Sequence, residues 1–430
     1  MVITRQTLSN GLTFIHIPMP DTEMVALSVC YHVGAKNEDE QHTGYAHLLE
    51  HLMFTGTPRI PDYDERVQYA GGENNAYTNN DLTMFYVTVP AEHAEEAFLW
   101  ESDRMMGLTL DSRSVEVQKQ VVIEEFKQRY LNQPYGDAQH LLRALAYRRH
   151  SYRWPAIGLD PQQIACATAD DIRSFYRRYY LPSNAIVTVT GAIALADAQR
   201  LAERYFSPIP SPSDEGCKRL AETRPDGSPI PSEPVQQRLR RRTVHRDVPQ
   251  DMLLMAFHMP ERRHPDFPVF DLITDLLSGG QSGRLATRLV NEQRIFTSMD
   301  SYIMGSEAPG LLYVTGRIAP SHTPQEAEEA VWQEIGRLKS EVVDEHEMEK
   351  VRNHFESERV FNGMSYLNVA LNVPQLALMG DTPESEIERF RAVTADDVRR
   401  VARQALTKRN ASVIYYLGNH FTTTLRPSTM

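Results

Sequence analysis

Two segments of this sequence repeat each other. The first begins at Thr168 and reads TADDIRSFYRRYYLPSNAIV, and the second begins at Thr394 and reads TADDVRRVARQALTKRNASV. Each opens with a Thr-x-x-Asp capping box, which predicts a helix N-terminus, and each continues as a strand after an asparagine. The offset that relates Thr168 to Thr394 also places VCYHV (29–33) over MAFHM (255–259). Two independent matches at one offset indicate duplication of a unit of roughly 200 residues.

A stretch rich in Pro, Ser and Gly separates the two halves of the sequence. It occupies 207–233 and reads SPIPSPSDEGCKRLAETRPDGSPIPSE, a composition typical of a linker. With 430 residues the chain exceeds the usual size of a single hydrophobic core. We therefore predict an N-terminal domain over 1–206, a linker over 207–233, and a C-terminal domain over 234–430 that repeats the first.

The hydrophobic periodicity of the first half predicts strands at its beginning and end and helices between them. The predicted strand regions are 3–18, 24–34, 76–90 and 184–191, and the predicted helices are 41–56, 91–107, 111–131 and 168–180. Early and late strands around a helical middle favour an α+β fold over a doubly wound one. Each half is thus expected to be a sheet-plus-helix unit.

Composition excludes several classes of protein. Hydrophobic residues make up 41% and charged residues 24%, as in ordinary globular proteins, and no apolar run approaches the roughly 18–20 residues of a membrane-spanning helix. A net charge of −12 argues against a nucleic-acid binder. Three distant cysteines, Cys30, Cys166 and Cys217, argue against a disulfide framework or a thiolate zinc site.

The first residues lack the basic and then apolar pattern of a signal peptide and are predicted to form two strands around a Ser-Asn-Gly turn. We therefore expect a cytoplasmic protein, or a periplasmic one if a signal peptide preceding this sequence has been removed.

The segment GYAHLLEHLMFTG, 44–56, contains a candidate metal site. On a helix, His47, Glu50 and His51 share one face. Two imidazoles at this spacing can hold one zinc ion, and the adjacent carboxylate can take a proton from a bound water, as in the inverse of HExxH. Five residues alone are a weak pattern, because polar residues on an exposed helix face produce it too. A third ligand is needed.

The segment EVQKQVVIEEFKQRY, 116–130, offers that third ligand. The apolar side chains of this predicted helix form one stripe: Val117, Val121, Val122 and Phe126. Glu125 projects from the middle of the stripe, and Glu124 lies at its edge. A carboxylate on a buried face is costly unless it is paired or binds a metal. We predict that Glu125 is the third ligand, with a buried salt bridge to an arginine as the alternative.

With these motifs the chain resembles the pitrilysin/insulinase-type (inverzincin) zinc metallopeptidases, and in length their short-chain branch, which includes mitochondrial processing peptidase subunits. In this family an HxxEH helix is completed by a distant glutamate, and the interval from His51 to Glu125 is comparable to the family's. GGENNAYTNNDLTMFYVTVP (71–90) resembles the family segment GG-x-x-NA-x-T. YRRHSYRWPAIG (147–158) resembles its H-x-Y-x-x-P-x-I-G segment.

The resemblance implies a zinc endopeptidase with one Zn²⁺ per chain, and a chain that forms half of a clam-shell chamber for peptides or unfolded segments. It implies a zinc-bound water as nucleophile and Glu50 as general base. It also implies that Asn75 and Ala76 lie on an edge strand that binds the peptide substrate, although a simple hairpin element is an equally good interpretation of those two residues.

The sequence departs from the family pattern at Gln118 and in the segment 289–297, whereas a second half without zinc ligands is typical of the family. Gln118 stands where a supporting glutamate is common, which is expected to weaken metal affinity or retune the metal-bound water without abolishing the site. The repeat offset carries the three motif residues onto apolar positions of the second half, Ile273, Leu276 and Leu277, so that half is expected to bind no zinc. In LVNEQRIFT, 289–297, Val290 and Thr297 replace a substrate-binding arginine and tyrosine.

Arg288, Arg294 and Tyr302 are candidate substitutes, but none has the family spacing. The protein is therefore expected to act as a homodimer, or as a heterodimer with a zinc-less paralogue that supplies the arginine and tyrosine, and we favour the heterodimer. A non-catalytic assembly subunit of the same family is the alternative function.

Overall fold

The computed structural model describes residues 1–211, 217–305 and 307–419, and residues 212–216 of the predicted linker lie outside this range. The chain forms two compact units. Unit 1 comprises Met1–Gln128, Tyr147–Pro234 and His354–Arg391. Unit 2 comprises Arg129–Ala146, Val235–Asn353 and the described chain from Ala392.

Each unit contains a segment from the opposite half of the sequence. Unit 2 contains Arg129–Ala146, and unit 1 contains His354–Arg391; the repeat offset carries the first of these onto the start of the second. The predicted domain ranges 1–206 and 234–430 follow the repeat along the sequence. As domain boundaries they stay a prediction. The compact units also exchange these two equivalent segments.

Unit 1 is built on a six-stranded sheet with the order β1-β2-β6-β3-β5-β4. Its strands are β1 (Thr4–Thr7), β2 (Thr13–Pro18), β3 (Met24–Tyr31), β4 (Glu73–Thr78), β5 (Thr83–Pro90) and β6 (Ala185–Gly191). Strand β2 runs parallel to β6, and the other pairs are antiparallel. The four predicted strand regions are confirmed, and β4 at one edge of the sheet begins slightly earlier than expected.

Unit 2 repeats this sheet with five strands in the order β7-β11-β8-β10-β9. They are β7 (Arg240–Arg246), β8 (Met252–His258), β9 (Phe296–Met304), β10 (Leu311–Ile318) and β11 (Ala411–Gly418). The pair β7 and β11 is parallel and the others are antiparallel, as in the equivalent pairs of unit 1. Order and direction both match, which confirms two homologous α+β domains.

Helices cover the sheets. In chain order they are α1 (Tyr45–Leu52), α2 (Tyr63–Tyr69), α3 (Ala94–Met106), α4 (Ser112–Phe126), α5 (Ala138–Ala146), α6 (Pro161–Cys166), α7 (Ala169–Tyr179), α8 (Leu195–Tyr205), α9 (Phe267–Ser278), α10 (Pro324–Ser340), α11 (Glu345–Met364), α12 (Tyr366–Leu378), α13 (Pro383–Arg391) and α14 (Ala395–Ala405). Within the described ranges, none has both the length and the apolar character needed to cross a bilayer.

The predicted repeat is visible in individual hydrogen bonds. Asn184 donates through Nδ2 to the carbonyl of His32 at 3.3 Å, and Asn410 donates in the same way to His258 at 2.9 Å. The repeat offset relates each residue of the first pair to its counterpart in the second. Because a side-chain amide fixes the same strand-to-strand relation in each unit, the duplication extends from sequence to local geometry.

Both predicted capping boxes are also present. Thr168 accepts the N–H of Asp171 at the start of α7, and Thr394 accepts that of Asp397 at the start of α14. In each box the aspartate carboxylate accepts the threonine N–H in return. Two otherwise unsatisfied N–H groups are thereby paired at each helix start.

Candidate metal centre

Helix α1, which carries the HLLEH motif, begins at a glycine that no other residue could replace without strain. Gly44 has φ of 89°, and a Cβ there would lie 2.7 Å from the carbonyl oxygen of Ile157. The helix is buried on nearly all sides: its buried residues are Tyr45, Ala46, His47, Leu48, Leu49, Glu50 and Leu52. Polar side chains on such a helix need partners, because burying them unpaired is unfavourable.

The structure brings together the three predicted ligands. The candidate ligand atoms of His47, His51 and Glu125 all lie within 4.8 Å of one another. Glu125 Oε2 is 3.3 Å from His51 Nε2 and 3.7 Å from His47 Nε2. Ligand atoms about 2.0–2.1 Å from a tetrahedral zinc ion lie roughly 3.4 Å apart. The two carboxylate–imidazole separations are close to this value, and a donor set of two imidazole nitrogens and one carboxylate oxygen suits zinc.

Glu125 lies at the border of a buried face, and the predicted apolar stripe is wrong in part. Val117 and Val121 are 54% and 45% exposed. The face of α4 that packs inward consists of Val115, Lys119, Val122, Ile123 and Phe126. The pattern of valines alone therefore predicted the wrong position for the apolar stripe. Lys119 belongs to the buried face because its aliphatic stem is buried, and its ammonium group pairs with Glu116 at 2.9 Å.

The two adjacent glutamates nevertheless differ in exposure. The side chain of Glu125 is 19% exposed and faces the imidazoles. The side chain of Glu124 is 60% exposed and pairs with Lys127 at 2.6 Å. One carboxylate is thus oriented toward the candidate metal centre, and its neighbour in the sequence is oriented toward solvent.

Glu50 is buried and is held by a hydroxyl group. Thr78 Oγ1 donates to Glu50 Oε2 at 2.5 Å, and Thr78 is the last residue of β4. A hydrogen bond to an ionised carboxylate is stronger than one between neutral groups and fixes its direction. Thr78 is the last residue of the segment that resembles GG-x-x-NA-x-T, and it was not among the predicted site residues.

Asn75 and Ala76 lie on β4, at the edge of the sheet of unit 1. They are opposite Tyr86 and Phe85 of β5, so the two strands form a hairpin whose outer strand is β4. The Ala76 N–H donates to Asn75 Oδ1 at 2.8 Å. Both interpretations of these residues are thus compatible with the structure, because the hairpin element is itself an edge strand.

The segment that resembles H-x-Y-x-x-P-x-I-G contacts the loop before the motif helix and the turn of the β4–β5 hairpin. Tyr152 donates its hydroxyl to Asp81 at 2.5 Å, and Asp81 pairs with buried Lys36 at 3.1 Å. His150 accepts the N–H of Tyr152 through Nδ1. Burial lowers the pKa of His150 to about 4, so this imidazole is neutral at physiological pH. These buried contacts link the β4–β5 hairpin to the loop before α1.

The equivalent helix of unit 2 has apolar residues at all three motif positions. Ile273, Leu276 and Leu277 are all buried in α9. Within the described ranges, the group of His47, His51 and Glu125 is the only cluster of three or more candidate metal ligands. Within those ranges, unit 1 thus contains a candidate metal centre and its repeat in unit 2 does not.

The residues that depart from the family pattern lie at half-buried or exposed positions. Val290 is half-buried, and Thr297 is exposed and bonded to Gln250 at 2.9 Å. Gln118 is half-buried on α4, seven residues before Glu125. None of these side chains could supply a charge.

The candidate substitutes have different surroundings. Arg288 pairs with the buried carboxylate of Glu334 at 2.8 Å, which holds its guanidinium in place. Tyr302 accepts a hydrogen bond from Gln139 at 2.7 Å. Arg294 is exposed and has a φ of 57°. Of the two arginines, Arg294 is therefore the less constrained cation.

Family models match most of the chain. Residues 14–157 match the model described as Insulinase (Peptidase family M16), and residues 167–355 match Peptidase M16 inactive domain. The chain therefore belongs to peptidase family M16, as the motifs predicted.

Named relatives are consistent with this assignment. The chain is 29% identical to zinc protease PqqE of Helicobacter pylori over 373 residues, which cover 85% of this chain and 81% of that protein. It is 27% identical to the mitochondrial-processing peptidase subunit beta of Lentinula edodes, over 47% of this chain and 44% of that protein. These two relatives are thus a zinc protease and a subunit of a processing peptidase.

Solved structures share the fold over nearly the whole chain. The crystal structure of a protease from Helicobacter pylori has a TM-score of 0.90 at 25% identity, covering 96% of this chain and 99% of that one. The periplasmic protease PqqL from Escherichia coli has a TM-score of 0.79 at 18% identity, covering 97% of this chain and 48% of that one. The second likeness shows the fold alone, and this chain spans about half of PqqL.

Proposed function

We propose that this protein is a zinc-dependent endopeptidase that binds one Zn²⁺ through His47, His51 and Glu125. The observation that supports this most directly is the convergence of two imidazoles and one carboxylate on a distance scale that fits zinc. Three protein ligands leave one coordination position open, and the ion would supply Lewis acidity that activates water and polarises a carbonyl group.

Glu50 acts as the general base in this proposal. Its carboxylate accepts a proton from the attacking water and passes it to the nitrogen of the leaving amine, which balances the hydrolysis of the peptide bond. The hydrogen bond from Thr78 fixes the direction of the Glu50 carboxylate. Burial of Glu50 limits competition from bulk water.

The proposed substrate is an extended peptide or an unfolded segment that adds a strand beside β4. Asn75 and Ala76 would contribute backbone groups at this edge. Because the Ala76 N–H is bonded to Asn75 Oδ1, the Asn75 side chain must turn away before that N–H can pair with substrate. Only an extended backbone can pair with an edge strand, so folded proteins are expected to be poor substrates.

The protein is proposed to work as a dimer that encloses the substrate in a chamber. The arginine and tyrosine expected from the family are absent at Val290 and Thr297, and this chain spans about half of PqqL. We favour a heterodimer with a zinc-less paralogue. Native mass spectrometry of tagged protein and its co-purified partners tests this, and a fully active homodimer would exclude it.

The principal test compares wild type with Glu50→Gln. Zinc content is measured by mass spectrometry, and activity is measured with a quenched fluorescent peptide. We expect full zinc content in both proteins and a loss of kcat of at least about 100-fold in the variant, the range for a general base. Glu124→Gln serves as the exposed-carboxylate control. Equal activity of Glu50→Gln and wild type would exclude Glu50 as base.

The second candidate function is a non-catalytic assembly subunit. The match of residues 167–355 to an inactive-domain model favours it for that half of the chain. It predicts zinc binding without peptide cleavage in any dimer.

The cytoplasm is the proposed compartment and the periplasm the alternative, which cell fractionation would distinguish.

A further inference from the structure

The N-terminus of helix α1 is capped from outside the helix. Its N-cap residue, Gly44, has no side chain to accept the free N–H groups of the first turn. Glu38, in the preceding loop, does so instead. Its Oε2 accepts the N–H of Gly44 at 2.9 Å, and its Oε1 accepts that of Ala46 at 2.8 Å.

This carboxylate is buried almost completely. Glu38 is 1% exposed. Burial raises the pKa of the carboxyl to about 8, whereas the N–H groups of Ala46 and Gly44 act to lower it. The positive end of the helix also favours a negative charge here. The fold thus retains an unfavourable buried acid at the start of the motif helix.

Glu38 belongs to a loop that is itself firmly anchored. Trp154 Nε1 donates to the carbonyl of Ala35 at 2.9 Å, and Lys36 pairs with Asp81 at 3.1 Å. Ala35, Lys36, Asn37 and Glu38 are all buried. The carboxylate therefore connects α1 to a rigid neighbouring segment.

The consequence for the metal centre follows from the length of α1. The helix has eight residues, and His47 follows Ala46 directly. With so few intrahelical hydrogen bonds, the first turn has little stability of its own. If that turn loosens, His47 Nε2 moves relative to His51 and Glu125.

We propose that Glu38 is a positioning residue of the metal centre, which fixes the first turn of α1 and thereby the place of His47 within the ligand set. This inference rests on the proposed function, because it requires that His47 binds zinc. Glu38 itself touches neither metal nor substrate. Outer partners that orient metal ligands typically contribute about 10–100-fold in affinity.

The test uses Glu38→Gln, which retains the shape but places an NH₂ group opposite backbone N–H donors. Zinc affinity is measured at a pH above the pKa of the carboxyl, by competition with a chromophoric chelator. Hydrogen exchange of the amides of residues 44–49 is measured in the zinc-free protein. We expect about tenfold weaker zinc binding, faster exchange in this turn, and a lower kcat with little change in KM.

Asp397→Asn is the matched control, because it removes the capping carboxylate of α14, which carries no predicted ligand. It is expected to lower the melting temperature and to leave zinc affinity unchanged. Glu38→Asp, which retains the charge, is expected to restore part of the affinity.

Two results would overturn the inference. If Glu38→Gln binds zinc as tightly as wild type although its melting temperature falls like that of Asp397→Asn, the role of Glu38 is structural only, and the proposed function stands. If wild type itself binds no stoichiometric zinc, the proposed function fails and the inference fails with it.

Discussion

Replacing Glu125 by glutamine removes the charge that faces both imidazoles while retaining the length of the side chain. Glu125 Oε2 lies 3.3 Å and 3.7 Å from the two Nε2 atoms, so it occupies one corner of the ligand set. A neutral amide oxygen is a much poorer zinc ligand than a carboxylate. We therefore expect the variant to bind zinc substantially more weakly.

The loss of zinc affinity can be bounded, because Glu125 lies at ligand distance from both imidazoles and does not merely orient them. Loss of a partner that only orients a ligand costs up to about 100-fold in metal affinity, and loss of a direct ligand should exceed that. A factor of 100 corresponds to about 2.7 kcal/mol. The zinc-free protein should lose less than about 1 kcal/mol, since the charge of a partly exposed side chain contributes little to stability.

The measurement is zinc affinity by chelator competition, together with melting temperatures in the presence and absence of zinc. Wild type should be stabilised by zinc, because a ligand that binds only the folded state raises its stability. Glu125→Gln should lose most of this stabilisation. Glu124→Gln, one residue earlier and exposed, should behave as wild type. A zinc affinity of Glu125→Gln equal to that of wild type would refute the assignment.

Three further predictions concern stability and the general base. Arg104→Met should destabilise the protein by about 3–5 kcal/mol in urea unfolding, because the buried carboxylate of Glu101 loses its charged partner at 2.6 Å. Adding Glu101→Leu should recover part of the loss, since the Tyr63 hydroxyl then loses its acceptor; no recovery would contradict this account. Because the pKa of His150 is lowered to about 4, the stability contributed by neutral His150 should be complete above pH ~6.5 and decline as the pH falls toward that pKa. His150→Gln should weaken this dependence without removing it, because burial also lowers the pKa of His140 to about 4, and identical pH profiles would exclude a contribution from His150. Thr78→Val should lower kcat about tenfold through loss of the hydrogen bond to Glu50, whereas Thr78→Ser should retain most activity; equal rates in the two variants would argue against that role.

Much of the architecture could be predicted because local rules govern it. The capping boxes at Thr168 and Thr394 fixed two helix starts, and the strand regions followed from apolar alternation. These features depend on residues within a few positions of each other. The exchange of 129–146 and 354–391 between the compact units could not be predicted in this way, because it depends on which sheet each segment packs against.

For the candidate site, the spacing of His47, Glu50 and His51 was sufficient to predict the motif helix, and the choice of Glu125 over Glu124 is consistent with the structure. The reasoning behind that choice was partly wrong, since Val117 and Val121 are exposed and Lys119 shares the buried face. A helical wheel assigns angles but cannot identify the side that faces a neighbour.

The amino-acid sequence is sufficient to show that two imidazoles and a carboxylate share one helix face, that a later helix carries another glutamate, and that the second half lacks this motif. The folded structure is needed to show that Glu125 reaches both imidazoles, that Thr78 holds Glu50, and that Glu38 caps the motif helix. The first set of facts follows from helical periodicity. The second set depends on contacts between segments distant in sequence or joined by an irregular loop, whose geometry is fixed only when the whole unit packs.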